Sequence, residues 1–136
     1  MKKLIIINIC LFLALSGFSQ SQKKVKNLGI STRTEWAYIY KGKKEIAYKE
    51  SFKKFDAEGN ETETIEYNEN GEVLLHVSFS YNKNDDITEE IKYNPDGTVS
   101  QTDKYKYSGK LKTERETFDG NGKLISRKKY IYEFKE

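Results

Sequence analysis

The sequence predicts an all-β fold, an antiparallel meander of repeated β-hairpins with about eight strands in one curled or extended sheet, after a cleaved signal peptide. Three observations predict it. An aromatic residue followed by a turn recurs at Phe55, Tyr67, Tyr81, Tyr93, Tyr107 and Phe118. The segments between these turns alternate apolar and polar residues, as a half-buried strand does. No segment beyond the N-terminal leader carries a convincing apolar stripe of helical period.

The six turns begin "FDAEGN", "YNENGE", "YNKNDD", "YNPDGT", "YSGK" and "FDGNGK". Their spacings are 12, 14, 12, 14 and 11 residues, so the unit is two strands and two turns, 26 residues from Phe55 to Tyr81 and again from Tyr81 to Tyr107. Four of the six read Asp/Asn-x-x-Gly. The Asx side chain can accept a backbone hydrogen bond two residues on. Gly at the fourth place supplies the left-handed backbone that closes a type I turn with a G1 bulge. Pro95, the only proline, stands where a type I turn favours it and where no ladder N–H is needed.

Taken in order, "TEWAYIY" puts Trp36, Tyr38 and Tyr40 on one face, and "KGK" turns the chain into "KEIAYKESFKKF". In "EVLLHVSFSY", Val73, Leu75, Val77, Phe79 and Tyr81 are expected to share a face. Ile87, Ile91 and Tyr93 are expected to do so in "DITEEIKY", and Val99, Tyr105 and Tyr107 in "TVSQTDKYKY". "KLKTERETF" puts Leu111 and Phe118 out of phase, which calls for a bulge or a shifted strand end. "KLISRKKYIYEF" is the last strand, with Leu124, Tyr130, Tyr132 and Phe134 on one face. The apolar face is thin, because Glu63, Glu89, Asp103, Arg115 and Lys128 interrupt it. A sheet that curls on itself would let the aromatics cover one another; otherwise a face stays partly exposed.

Residues 1–19 read as a signal peptide, with "MKK" as the basic start, "LIIINICLFLAL" as the apolar run, and Gly17 and Ser19 as the small residues before a cut at Gln20. The run falls short of the ~20 residues of a bilayer span, so no membrane-spanning segment is expected after cleavage. Cys10, the only cysteine, lies inside the run. The chain that remains then has no disulfide and no thiolate site, which suits export to a bacterial periplasm, cell surface or medium. Residues 20–31 read as a flexible lead-in and 32–136 as the hairpin-repeat domain. A net charge of +3 falls to about +1 once Lys2 and Lys3 are removed, which argues no basic face for nucleic acid.

Residues that could carry chemistry are few. His76 is the only histidine and lies opposite the aliphatic row of its strand, so neither a Ser-His relay nor a zinc site is expected. The pairs Asp85/Asp86 and Glu89/Glu90 are adjacent, so along a strand their carboxylates point to opposite faces rather than converging on a cleft. "DGNG" and "NPDG" lack the ligands of a calcium loop. Lys and Glu on both faces would break the lipid-facing band of a membrane barrel. No enzyme activity, cofactor or metal is expected.

The stretches "FDAEGNETETIEY" and "YNPDGTVSQTDKYKY" resemble the Tyr-Asp-x-x-Gly units of YD-repeat (RHS-like) proteins of bacterial envelopes, over about residues 55–134. "YNENGEVL" and "FDGNGKLI" more weakly resemble MORN-like antitoxin-type repeats. Both resemblances imply a β-hairpin repeat used for scaffolding or binding. The residues single out an aromatic row as the ligand-binding surface: Trp36, Tyr38, Tyr40, Phe79, Tyr81, Tyr93, Tyr105, Tyr107, Tyr130 and Tyr132. A protein or polysaccharide is the expected partner. The competing expectation is a structural envelope protein that self-associates through its sheet edges.

Overall fold

The computed structural model describes residues 18–136. Residues 1–17, with most of the expected signal peptide and Cys10, lie outside the described residues. A helix, α1 (Phe18–Leu28), precedes eight strands: β1 (Thr32–Lys41), β2 (Lys44–Phe55), β3 (Glu61–Tyr67), β4 (Val73–Tyr81), β5 (Ile87–Tyr93), β6 (Val99–Ser108), β7 (Leu111–Asp119) and β8 (Leu124–Lys129). They form one open antiparallel sheet in the order β1 to β8, every strand paired with its neighbours in sequence. The all-β meander expected from the hairpin signals is the observed fold.

The turns follow the chemistry of their residues. At Asp56, Asn68, Asn82, Asn94 and Asp119 the carbonyl accepts the N–H of the residue three places on, and the N–H donates to the carbonyl four places on. In "NKND" the fourth place is Asp85, which takes φ +63° without being glycine; its carboxylate accepts the Asn60 side-chain amide at 2.8 Å. The β1–β2 and β6–β7 connections are two-residue hairpins that lead with Gly42 and Gly109, both at positive φ.

Each strand pair contains one register shift, and six of the seven shifts fall beside a repeat aromatic: Phe55, Tyr67, Tyr81, Tyr93, Tyr107 and Phe118. Because residues directly opposite share a face, the pairing also assigns the faces. Val77, Lys92 and Gln101 lie on one face, here the front, with Phe79, Glu90, Asp103 and Thr117. Ile65, His76, Ser78, Ile91, Thr102 and Phe118 lie on the back. The repeat aromatics therefore alternate, with Phe55, Tyr81 and Tyr107 in front and Tyr67, Tyr93 and Phe118 behind. The bulge at Thr113, between the pairs Lys106–Glu114 and Tyr107–Lys112, brings Leu111 and Phe118 onto the same face, as their phase required.

Bulges also correct three expected rows, because a bulged residue reverses the alternation. Leu74 separates Val73, on the back, from Leu75, Val77, Phe79 and Tyr81. Thr88 puts Ile87 in front while Ile91 and Tyr93 stay behind, and Ser100 likewise sends Val99 to the back. The last strand also ends at Lys129 rather than Phe134. Its partner β7 starts at Leu111 after a tight turn, and Tyr130 N–H makes a last ladder contact to the Thr113 carbonyl.

Among the described residues no second layer covers the sheet, Val77 and Val25 are the buried apolar side chains, and the other strongly buried positions are polar. Ser51, Val77 and Asp103, at 5%, 5% and 1% exposure, stand 26 residues apart, one at the centre of each of β2, β4 and β6. Stability must therefore come mainly from ladders and cross-strand pairs, each worth roughly 0.2–1 kcal/mol. Tyrosine clasps recur with the repeat: Tyr81 OH donates to the Glu61 carbonyl at 2.6 Å, Tyr107 OH to Ile87 at 2.7 Å and Tyr132 OH to Lys112 at 2.6 Å. Phe55, the earlier counterpart, has no hydroxyl and uses its backbone N–H on the Ser31 carbonyl. Burial, with Glu61 nearby, holds the Tyr81 phenol well above its usual value, so the clasp keeps its proton. Tyr81→Phe, which leaves the Glu61 carbonyl without that donor, is expected to cost about 1–1.5 kcal/mol in urea unfolding. A midpoint unchanged from the parent would show the clasp to be ornamental.

Residues 18–28, most of them expected in the flexible lead-in, are helical. Gly29 ends the helix in the left-handed conformation, with Ile30 N–H on the Val25 carbonyl and Gly29 N–H on Lys26. The helix seats on the β2–β3 turn. Gln22 bonds Asn60, Lys26 pairs with Glu58, and Val25 is buried to 6% exposure. Asn60 also reaches Asp56 and Asp85, so one amide ties the helix to two turns. No helix among the described residues is long and apolar enough to cross a membrane.

Candidate functional site

The ten aromatics of the expected row do not form one surface. Phe79, Tyr81, Tyr105 and Tyr107 lie on the front, whereas Trp36, Tyr38, Tyr40 and Tyr93 lie on the back. Tyr130 and Tyr132, beyond β8, come in beside β7 through the Tyr130 N–H and the Tyr132 hydroxyl. Side-chain alternation alone would give one row; seven register shifts divide it.

The densest constellation is on the front of β6 and β7. Asp103, at 1% exposure, accepts from Arg115 Nη2 at 2.8 Å, Thr117 Oγ1 at 2.5 Å and Gln101 Nε2 at 3.0 Å. Burial opposes the Asp103 charge, but these three donors outweigh it and hold the carboxyl below the usual range. The hydrogen bond that Arg115 donates to Asp103 raises the guanidinium's own pKa in turn. Arg115 Nε is buried with no hydrogen-bond partner, so the guanidinium keeps a donor unused. Next to this pair lies Tyr105. Lys112 Nζ stands 4.1 Å from its ring centre and the Arg115 guanidinium 5.9 Å. Burial pushes the Tyr105 phenol up to about 12, aided by the Glu90 carboxylate and opposed by Arg115. Tyr107, half-buried, sends its hydroxyl to the Ile87 carbonyl of β5 at 2.7 Å. The site is thus a shallow aromatic and cationic platform underpinned by a buried ion pair. Such faces suit the C–H faces of sugar rings as well as cations.

Of the expected aromatic row, Tyr105 and Tyr107 stand here, joined by Asp103, Arg115 and Lys112, which were not among the expected site residues. The signal was present, since Asp103 and Arg115 both interrupt the apolar alternation. What was missing was the register that sets one beside the other.

A second concavity, of about 640 Å3, opens over β1–β4 between Tyr48, Tyr67 and Leu74, with Glu35 and Glu66 on its walls and Ser51 within it. Arg33 pairs with Glu35 at 2.9 Å, and Ser51 Oγ donates to Glu35 at 3.0 Å. None of the expected aromatic row lines it.

His76 is packed rather than solvated. Its ring stacks on Tyr93, centroids 4.4 Å apart, and Nε2 meets Glu63 Oε1 at 2.8 Å. Glu63 also pairs with Lys54, which lowers its carboxyl although burial opposes the shift, and His76 adds to the lowering. Ser78 Oγ lies 3.1 Å from Tyr93 OH. Histidine and serine thus share a face and a neighbour, Tyr93, while the His76 ring nitrogen bonds Glu63.

Compared with protein-family models and with curated proteins, the chain matches none of them.

Proposed function

We propose that this is an exported, non-enzymatic hairpin-repeat protein that serves as a binding or scaffolding module at a bacterial envelope, with a polysaccharide as the contacted polymer. The observation that carries the reading is the front platform. Tyr105 and Tyr107 lie beside Lys112 and Arg115, and the cations are fixed by Asp103 and by the Tyr105 ring. An open, one-layer sheet offers such a platform along its length without an enclosing pocket, which suits a chain polymer better than a small metabolite. Export is supported by the composition of residues 1–19, and the YD-repeat resemblance agrees with an envelope role.

The test is capture. Immobilised protein is exposed to a panel of neutral and acidic polysaccharides and to envelope extract. Saturable polysaccharide binding is expected, weakened at least about tenfold by Tyr105→Ala with Tyr107→Phe, which keeps the second ring. Circular dichroism checks that the variant is folded. Absence of polysaccharide binding, or binding indifferent to Tyr105, would overturn the reading.

A further inference from the structure

Among the described residues, the sheet order leaves β1 and β8 each with one unpaired edge. The two edges are not alike. β8 carries Arg127, Lys128 and Lys129 in succession, and cations are a usual guard against edge pairing. β1 has five uncharged residues, Trp36 to Tyr40, between Glu35 and Lys41. Three of them, Trp36, Tyr38 and Tyr40, are 58%, 59% and 70% exposed on the back face. No bulge interrupts β1 itself, because the extra residue of the β1–β2 pair is Glu50 on β2.

We propose that β1 is the interface of a symmetric homodimer, pairing antiparallel with β1 of a second copy so that two eight-stranded sheets continue as one. The strand is self-complementary about Tyr38. With Tyr38 opposite the second copy's Tyr38, Trp36 falls opposite the second copy's Tyr40, Ala37 opposite its Ile39, and Glu35 opposite its Lys41. Opposite residues share a face, so the exposed aromatics become one back-face ladder of directly opposed pairs. The small Ala37 meets the larger Ile39 in front, flanked at both ends by Glu35 opposite Lys41, which within one copy pair with Arg33 at 2.9 Å and Glu69 at 2.7 Å and would exchange those partners for each other. Neighbouring registers lose this. A shift of two residues one way sets Arg33 opposite Lys41; the other way leaves Trp36 opposite Gly42. The same symmetric pairing of β8 sets Leu124 against Lys128 and Ile125 against Arg127 when centred on Ser126, and Arg127 against itself one residue on, so neither register gives an uncharged ladder. A second copy is thus the occupant that fits, and the inference is independent of the polymer platform, which uses the front of β6 and β7.

Sedimentation equilibrium of the purified protein, its N-terminus established by intact mass, tests the proposal. A monomer–dimer equilibrium is expected. Tyr38→Lys puts two ammonium groups opposite each other at the axis and should leave only monomer. Glu35→Lys and Lys41→Glu each create two like-charge pairs and should weaken the dimer at least about tenfold, while the combined E35K/K41E restores most of it. Ile125→Lys, on β8, should change nothing. Circular dichroism and urea midpoints confirm that each variant is folded. The proposal is overturned by a monomer at every concentration or by assemblies larger than a dimer. It also fails if the double charge reversal is no tighter than the singles, or if Ile125→Lys abolishes association.

Discussion

Gly59→Ala is expected to release α1 from the sheet and to cost about 2–3 kcal/mol. Two effects add. Gly59 has φ +83°, a conformation that costs an L-residue roughly 1 kcal/mol or more. A Cβ there would also lie 2.5 Å from the Gln22 carbonyl oxygen and 3.0 Å from the Lys26 backbone nitrogen, both helix backbone that cannot swing aside. The helix must lift, which exposes Val25 and removes a further ~1.5 kcal/mol of apolar burial. Gly71→Ala is the control. Its φ is +80°, but nothing lies within 4 Å of the added methyl, so only the backbone strain should appear. Urea midpoints give the energies, and limited proteolysis reads the segment before β1 directly. Equal losses for the two variants, with no new cleavage near α1, would mean that the helix adds nothing to the fold.

Asp103→Ala is expected to cost about 2 kcal/mol. Removing one partner of a buried ion pair leaves the other uncompensated, at roughly 3–5 kcal/mol when both are fully enclosed. The Arg115 side chain is 30% exposed and can turn toward water, which lowers the figure. Asp103→Val with Arg115→Leu should recover most of the loss, since Val77 already fills the equivalent place one repeat earlier. The pair also carries a pH signature. The folded carboxyl titrates below its ordinary value, so between the folded and unfolded values the unfolded chain binds more protons and stability rises with pH. The contribution is complete above the ordinary carboxylate value, about 3.9, and is lost as pH falls through the folded one. Urea midpoints taken through this acid range should fall more steeply for the parent than for Asp103→Asn. Parallel pH profiles would show that the carboxylate gives the fold no charge-dependent stability.

Much of the architecture was legible in local chemistry. Asp/Asn-x-x-Gly states a type I turn with a bulge, because the Asx side chain and the left-handed glycine are both needed within five residues. Recurrence of that motif marked four hairpins, its Asn82–Asp85 variant a fifth, and Gly42 and Gly109 two more. The helix was less legible. Gly29 and Lys26 are ordinary signals for a helix end, but among the described side chains of the helix Val25 is the one apolar group buried, too little for a stripe. What holds it is distant in sequence, namely Asn60 and the bare backbone of Gly59.

The aromatic row shows the limit most clearly. Strand alternation assigns a face only within an unbroken run, and every strand pair here contains a bulge that resets it. Where Tyr93 and Tyr105 would point, and that Asp103 would lie beside Arg115, depended on pairing between strands. The sequence by itself determined the all-β class, the hairpin order and the turn types, since each of these is decided by neighbours a few residues apart. Only the tertiary structure decided which aromatics share a face, which charge is buried and which edge is left bare, because those follow from the sum of register shifts across eight strands.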